Sequence, residues 1–97
     1  MYAIAFDLTV AEVEALHPRG YQAAYAEIGA ALRRFDFRRI QGSVYLTDNE
    51  NMYNLTRAMM ALRALPWFSD CVRDIRAFRV EQWSDFTPMF KDRSANQ

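Results

Sequence analysis

Apolar residues fill both parities of the first eight positions. Tyr2, Ile4, Phe6 and Leu8 fall on one, Met1, Ala3 and Ala5 on the other, and Asp7 is the single interruption. A segment apolar on both faces predicts a central strand covered on both sides. The period then changes. Tyr21, Ala24, Tyr25, Ile28, Ala31, Leu32 and Phe35 form one helical stripe, which predicts an amphipathic helix over 18–35 with Pro18 in its first turn. The mixed stretch 9–17 predicts a short helical turn. Residues 37–41 and 43–47 read as two short strands around Gly42, a hairpin turn or sharp bulge. Thr47-Asp48-Asn49-Glu50 offers capping chemistry to a second helix, whose stripe is Met52, Leu55, Met59 and Leu62 with Ala58 and Leu65 alongside. Pro66 closes that helix. Residues 71–80 read as a last strand, and 81–97 as a polar tail holding Trp83, Phe86 and Phe90.

The order β-α-β-β-α-β in one short chain predicts an α+β, ferredoxin-like split βαβ fold. Right-handed crossovers put two helices on one face of a four-stranded antiparallel sheet with spatial order 4-1-3-2. The 97 residues suit one domain over 1–97, with its core at about 1–80. The other face of the sheet is left bare although the first strand is apolar there too. A second copy would cover it, so a two-fold homodimer is expected, with the tail at 81–97 packing at its interface.

The chain is 52% hydrophobic and 25% charged, with three Gly and three Pro, which excludes a disordered or linker-rich architecture. Cys71 is the one cysteine. That excludes an internal disulfide framework and a Cys-rich zinc site, and reads as a small buried group. No apolar run reaches the length of a membrane span or a secretory signal, so no membrane association and a cytoplasmic location are expected. Net charge is zero, unlike the basic footprint of a nucleic-acid coat protein. Its distribution is uneven. Residues 1–32 hold Arg19 against Asp7, Glu12, Glu14 and Glu27, whereas 33–79 hold nine Arg against five acids. Eleven of the twelve bases are Arg, whose planar fork suits phosphates and base stacking; surface ion pairing is the plainer role for most of them.

The topology draws chemistry to one end of the sheet. The first strand ends near Asp7, the Gln41-Gly42-Ser43 turn lies at that end, and the last strand starts there, at Ser69 to Asp74. A carboxylate, a hydroxyl, a Gly baring backbone N–H groups, and Arg73 are thus expected together. Such a set suits attack at a phosphodiester, with Arg on the phosphate and the carboxylate as general base. A divalent metal such as Mg²⁺ bridging Asp7 and its two-fold copy is compatible with it. The plain readings stand beside this one. Asp7 suits a strand end, Ser43 a hairpin and Tyr45 the core, while Arg73 can pair with Asp70 or Asp74. His17, before Pro18, reads as a loop residue, and the methionines as core.

The strings Met1-Tyr-Ala-Ile-Ala-Phe-Asp7, Gln41-Gly-Ser-Val-Tyr45 and Val72-Arg-Asp-Ile-Arg-Ala-Phe78, followed by Trp83-Ser-Asp-Phe86, resemble the virulence-associated protein D (VapD) family. The resemblance runs from Met1 to about Phe90. It implies a homodimeric endoribonuclease of ferredoxin-like fold, related to the small CRISPR-associated nuclease and acting as a toxin, in some cases paired with an antitoxin. It makes Asp7 the residue most associated with cleavage. The matching strings also hold Ser43 and Tyr45, whose hydroxyls make them further catalytic candidates, and Gly42, Arg73 and Arg76, candidates for binding the substrate.

The expectation is therefore a toxin-type endoribonuclease that cleaves single-stranded RNA. The alternative is a non-catalytic dimeric module that binds nucleic acid or protein.

Overall fold

The computed structural model describes residues 1–91; the end of the tail, 92–97, lies outside them. The expected strand order is observed. Strands β1 (Tyr2–Leu8), β2 (Arg38–Gln41), β3 (Val44–Thr47) and β4 (Val72–Arg79) form one antiparallel sheet in the order β2-β3-β1-β4. Helices α1 (Val10–Leu16), α2 (Gly20–Arg33), α3 (Met52–Arg63) and α4 (Phe68–Cys71) pack together as a layer, and α5 (Thr87–Lys91) lies in the tail.

Alternation sorts β1 as expected. Ile4, Phe6 and Leu8 enter the core with Ala24, Ile28 and Leu32 of α2 and Leu55, Ala58 and Leu62 of α3. Asp7 points to the opposite face and is exposed. Phe6 is an aromatic hub, with ring centroids 6.1 Å from Tyr25, 6.0 Å from Tyr45 and 5.7 Å from Phe68. These rings fix the end of β1 by packing on one side of it, so the residue that follows Phe6 is held on a rigid strand.

Several sequence expectations are corrected. The stretch 9–17 forms a two-turn helix, α1, because Val13 reaches the core. The long helix starts at Gly20, so Pro18 precedes it. The cap of α3 is Asn51, whose side-chain oxygen accepts from Tyr53 N–H at 2.9 Å. The residues before it form turns instead, with Asn49 N–H bonded to Thr47 Oγ1 and Asn51 N–H to Asn49 Oδ1. Of the α3 methionines, Met52 and Met60 are exposed and only Met59 packs on the core, since Met52 opens α3 and Met60 faces away. The last strand begins at Val72, one residue late, because Cys71 ends α4.

The tail starts beside β4 at one edge of the sheet, yet Trp83, Phe86, Phe90 and Lys91 share a cavity with Ile40 and Gln41 of β2 at the other edge. Ala3 and Leu46, paired on the face turned away from the helices, are both buried, as a chain crossing that face requires. Trp83, Phe86, Met89 and Phe90 nonetheless stay exposed within one copy. No helix among the described residues is long and apolar enough to cross a membrane.

Candidate active site

Two features of β1 and β4 build the site. Asp7 lies directly opposite Asp74. The next pair is Leu8 with Val72, so Arg73 is an extra residue on β4, a bulge. A bulge re-aims the side chain it carries. Here it brings Arg73 Nε to 3.8 Å from an Asp7 carboxylate oxygen, both side chains being about two-thirds exposed. Arg76 Nε donates to both carboxylate oxygens of Asp74, at 3.2 and 3.1 Å. The result is a row of two carboxylates and two guanidinium groups on the exposed face of the sheet.

The two sequence candidates on β3 lie differently. Ser43 precedes Val44, which pairs with Ala5, and its carbonyl accepts the Phe6 N–H. Ser43 and Tyr45 therefore share the parity of Ile4 and Phe6 and look toward the helices. Ser43 hydrogen-bonds the Tyr25 hydroxyl of α2. Tyr45 is buried against Phe6, and burial pushes its phenol above the ordinary value. The expected cluster thus occupies one end of the sheet but is divided between its faces. Asp7, Arg73 and Arg76 are together; Ser43 is at the rim; Tyr45 is on the far side. Gly42 sits in the turn between them with φ +31° and nothing within 4 Å of where a side chain would begin.

Asp74 is not among the sequence candidates although it lies between Arg73 and Arg76. The signal for it is positional, because in antiparallel pairing only the register shows which β4 residue faces Asp7. Arg73 pairs with Asp7, its expected neighbour at this sheet end, and not with Asp70 or Asp74 as its plainer role would have it.

Among the described residues no group of three or more His, Cys, Asp and Glu side chains stands close enough to hold a metal ion. Asp7 and Asp74 alone give one chain two carboxylates, each already facing an arginine. That donor set does not make a metal site within one chain. Cys71 is no nucleophile here. It is buried, and burial pushes its thiol up.

His17 lies in the loop between α1 and α2, as the sequence leads one to expect, yet it is buried. Its Nδ1 accepts the Arg19 backbone N–H at 3.1 Å, so the hydrogen-bond network assigns the ring proton to Nε2, which donates to Glu27. The Trp67 ring meets it edge-on, centroids 5.3 Å apart. This cluster ties α1 to α2 and lies within the helix layer, away from the Asp7 face.

No protein-family model matches the chain. It is similar to a protein of Neisseria gonorrhoeae named "Endoribonuclease VapD homolog", 60% identical over 91 residues that cover 94% of this chain and 99% of that protein. It is likewise similar to "Endoribonuclease VapD" of Haemophilus influenzae, 56% identical over 95% of this chain and all of that protein. A third, of Dichelobacter nodosus and bearing the same name, is 50% identical over 94% of this chain and 98% of its own length.

Proposed function

Because the chain belongs to the VapD family of endoribonucleases, we propose that it is an RNA-cleaving nuclease acting on single strands, with Asp7 at the centre of the reaction. The observation that carries this is the exposed Asp7 carboxylate at the end of a packed central strand, 3.8 Å from the Arg73 guanidinium. Asp7 takes the proton of a ribose 2′-hydroxyl as that oxygen attacks the adjacent phosphorus. The bond from phosphorus to the 5′-oxygen breaks, its electron pair leaves with that oxygen, and a proton from solvent completes the new 5′-hydroxyl. The other product is a 2′,3′-cyclic phosphate. Arg73 and Arg76 hold the phosphate and meet the charge that develops on its free oxygens.

Two further readings accompany this one. The chain acts as a homodimer, a second copy covering the sheet face that exposes Trp83, Phe86 and Phe90, so that two Asp7 sites come together. It also works as a toxin held in check by an antitoxin protein. In the cell, induction then arrests growth, and Asp7→Asn abolishes the arrest.

The test is a cleavage assay on single-stranded RNA with pure wild type and Asp7→Asn, each with and without EDTA. Cleavage by the wild type alone, kept in EDTA and blocked by a 2′-deoxy sugar at the cut position, supports the reaction above. Loss in EDTA transfers the chemistry to a metal shared between two copies. Equal cleavage by both proteins removes Asp7 from the reaction. Absence of cleavage by either favours the non-catalytic binding module.

A further inference from the structure

On the other side of the same sheet end, a groove runs between α2 and the edge strand β2. It has a volume of about 620 Å³, and its walls are Tyr25, Gly29, Arg33, Phe37, Arg39 and Tyr45. A second hollow of about 420 Å³ continues it past Tyr21, sharing Tyr25 and Arg39. The residue types are unusual for a surface groove on a chain of zero net charge. Arg33 and Arg39 both face into it, and neither has a carboxylate partner among the described residues. Arg39 is held in place from two sides. Its Nε donates to the Gly42 carbonyl at 2.6 Å, and its guanidinium carbon lies 5.1 Å from the centroid of the Tyr25 ring. The remaining guanidinium N–H groups are left without a protein acceptor among the described residues. Tyr21 and Tyr25 stand with centroids 4.9 Å apart and are half-buried, so each shows part of a ring to solvent. Gly29 forms part of the wall, and the Tyr45 hydroxyl and Arg33 lie 3.9 and 4.0 Å from where its side chain would begin.

We propose that this groove is a second binding site for the RNA strand, which rests on the RNA-cleaving reading above. Arg33 and Arg39 take backbone phosphates, and Tyr21 and Tyr25 offer aromatic faces to an unpaired base. Unneutralised arginines beside aromatic rings are what a single strand needs, phosphates tracked by charge and bases stacked without regard to sequence. A duplex cannot use the tyrosines, because its bases are already stacked. The route from the cleavage site to the groove passes over the 41–43 turn, where Gly42 leaves open space. The same carbonyl of Gly42 anchors Arg39, so the turn couples the path to the groove. Strand held here leaves the scissile phosphate on the Asp7 face of the sheet.

The experiment measures binding of a labelled single-stranded RNA to the full chain in the Asp7→Asn background, which keeps the probe intact. Arg33→Gln and Arg39→Gln are compared with Arg63→Gln, a change at an exposed arginine of α3 outside the groove. The first two are expected to weaken binding about 5- to 10-fold each and to lower the dependence on log salt by about 0.7 for each phosphate left unneutralised. Arg63→Gln is expected to leave both quantities near the parent's. A further variant fills the groove without touching charge: Gly29→Leu adds a good helix former and occupies the space above Tyr45. It is expected to weaken single-strand binding at least as much while circular dichroism stays that of the parent. Groove variants that bind as the parent does, or an Arg63→Gln effect equal to theirs, overturn the groove and leave the cleavage reading standing. A parent protein that binds no RNA overturns both.

Discussion

Asp7 and Asp74 face each other directly across β1 and β4, two carboxylates on neighbouring strands with an arginine at the side of each. Like charges placed opposite in a sheet are destabilising by a few tenths of a kcal/mol or more. The exposed pair with Arg73 offsets only a small part of that cost. Removing one charge therefore separates stability from activity. Asp7→Asn is expected to lower RNA cleavage by at least about 100-fold, the usual scale for losing a general base. The same change is expected to leave the protein as stable or up to about 0.5 kcal/mol more stable. Urea denaturation beside the cleavage assay checks it. A loss of activity that tracks a loss of stability would assign Asp7 a merely structural role.

His17 ties together three pieces of chain that are distant in sequence. It accepts from Arg19 N–H, donates to Glu27 and packs on Trp67. Replacing it with Ala removes a buried ring and leaves two hydrogen-bonding partners and the side of an indole uncompensated. His17→Ala is expected to cost about 2–3 kcal/mol by urea denaturation. Because the cluster lies in the helix layer, the folded fraction of the variant should cleave RNA at the wild-type rate.

Glu27 carries a pH signature of the same cluster. The hydrogen bond from His17 holds its carboxyl below the ordinary value of 4.5, with Trp67 and Arg19 adding to the effect and burial opposing it. A carboxyl lowered in the folded state gives stability that is fully present above pH 4.5 and is lost as the pH falls through the lower folded value. Stability curves of wild type and Glu27→Gln are therefore expected to run parallel near neutrality and converge below pH 4.5. Curves that stay parallel down to pH 3 would show that Glu27 titrates alike in both states.

The end of α2 offers a change in the other direction. Asp36 adopts φ +65°, a left-handed conformation that opens the way for Asp36 N–H to bond Arg33 O and Phe37 N–H to bond Leu32 O. Phe37 is thereby turned into the core. Asp carries a conformational cost there that Gly does not. Asp36→Gly is expected to raise stability by up to about 1 kcal/mol, readable as an upward shift of the thermal midpoint with activity unchanged.

How much of this was legible follows from which contacts are local. The alternation in β1 and the stripe of α2 repeat within a few residues, so the strands, the two long helices and the sheet order could be read directly. The placement of Asp7 and the 41–43 turn at one sheet end followed from the topology. The division of the candidates between two faces depends on register. Val44 opposite Ala5 decides that Tyr45 looks at the helices, and a shift of one residue would have reversed it. The bulge at Arg73 was invisible for the same reason. His17 needed partners ten and fifty residues away, Glu27 and Trp67, and a His-Pro step before a helix gives no sign of either. The groove lining combines Tyr21, Tyr25 and Gly29 from the helix with Arg39 and Tyr45 from two strands, a set that only the packing of α2 over the hairpin assembles.

The tail gives the last prediction. Trp83, Phe86, Met89 and Phe90 are each between 41% and 78% exposed in one copy, a concentration of large apolar groups that a lone soluble domain rarely shows. Trp83, Phe86 and Phe90 lie near Ile40 and Gln41, at the edge of the same sheet face that carries Asp7. A second copy laid on that face would bury them and would bring two Asp7 sites toward a common axis. On the homodimer reading, Phe86→Glu with Phe90→Glu places two charges in the buried interface and is expected to shift the sedimenting species from dimer to monomer. The monomer should keep its far-ultraviolet spectrum, since neither side chain enters the core of its own copy, and its thermal midpoint should lose the dependence on protein concentration that a dimer shows. Comparison of its cleavage rate with that of the wild type then decides whether each Asp7 works alone. An unchanged dimer would place the interface on another surface and leave the tail aromatics for a different partner.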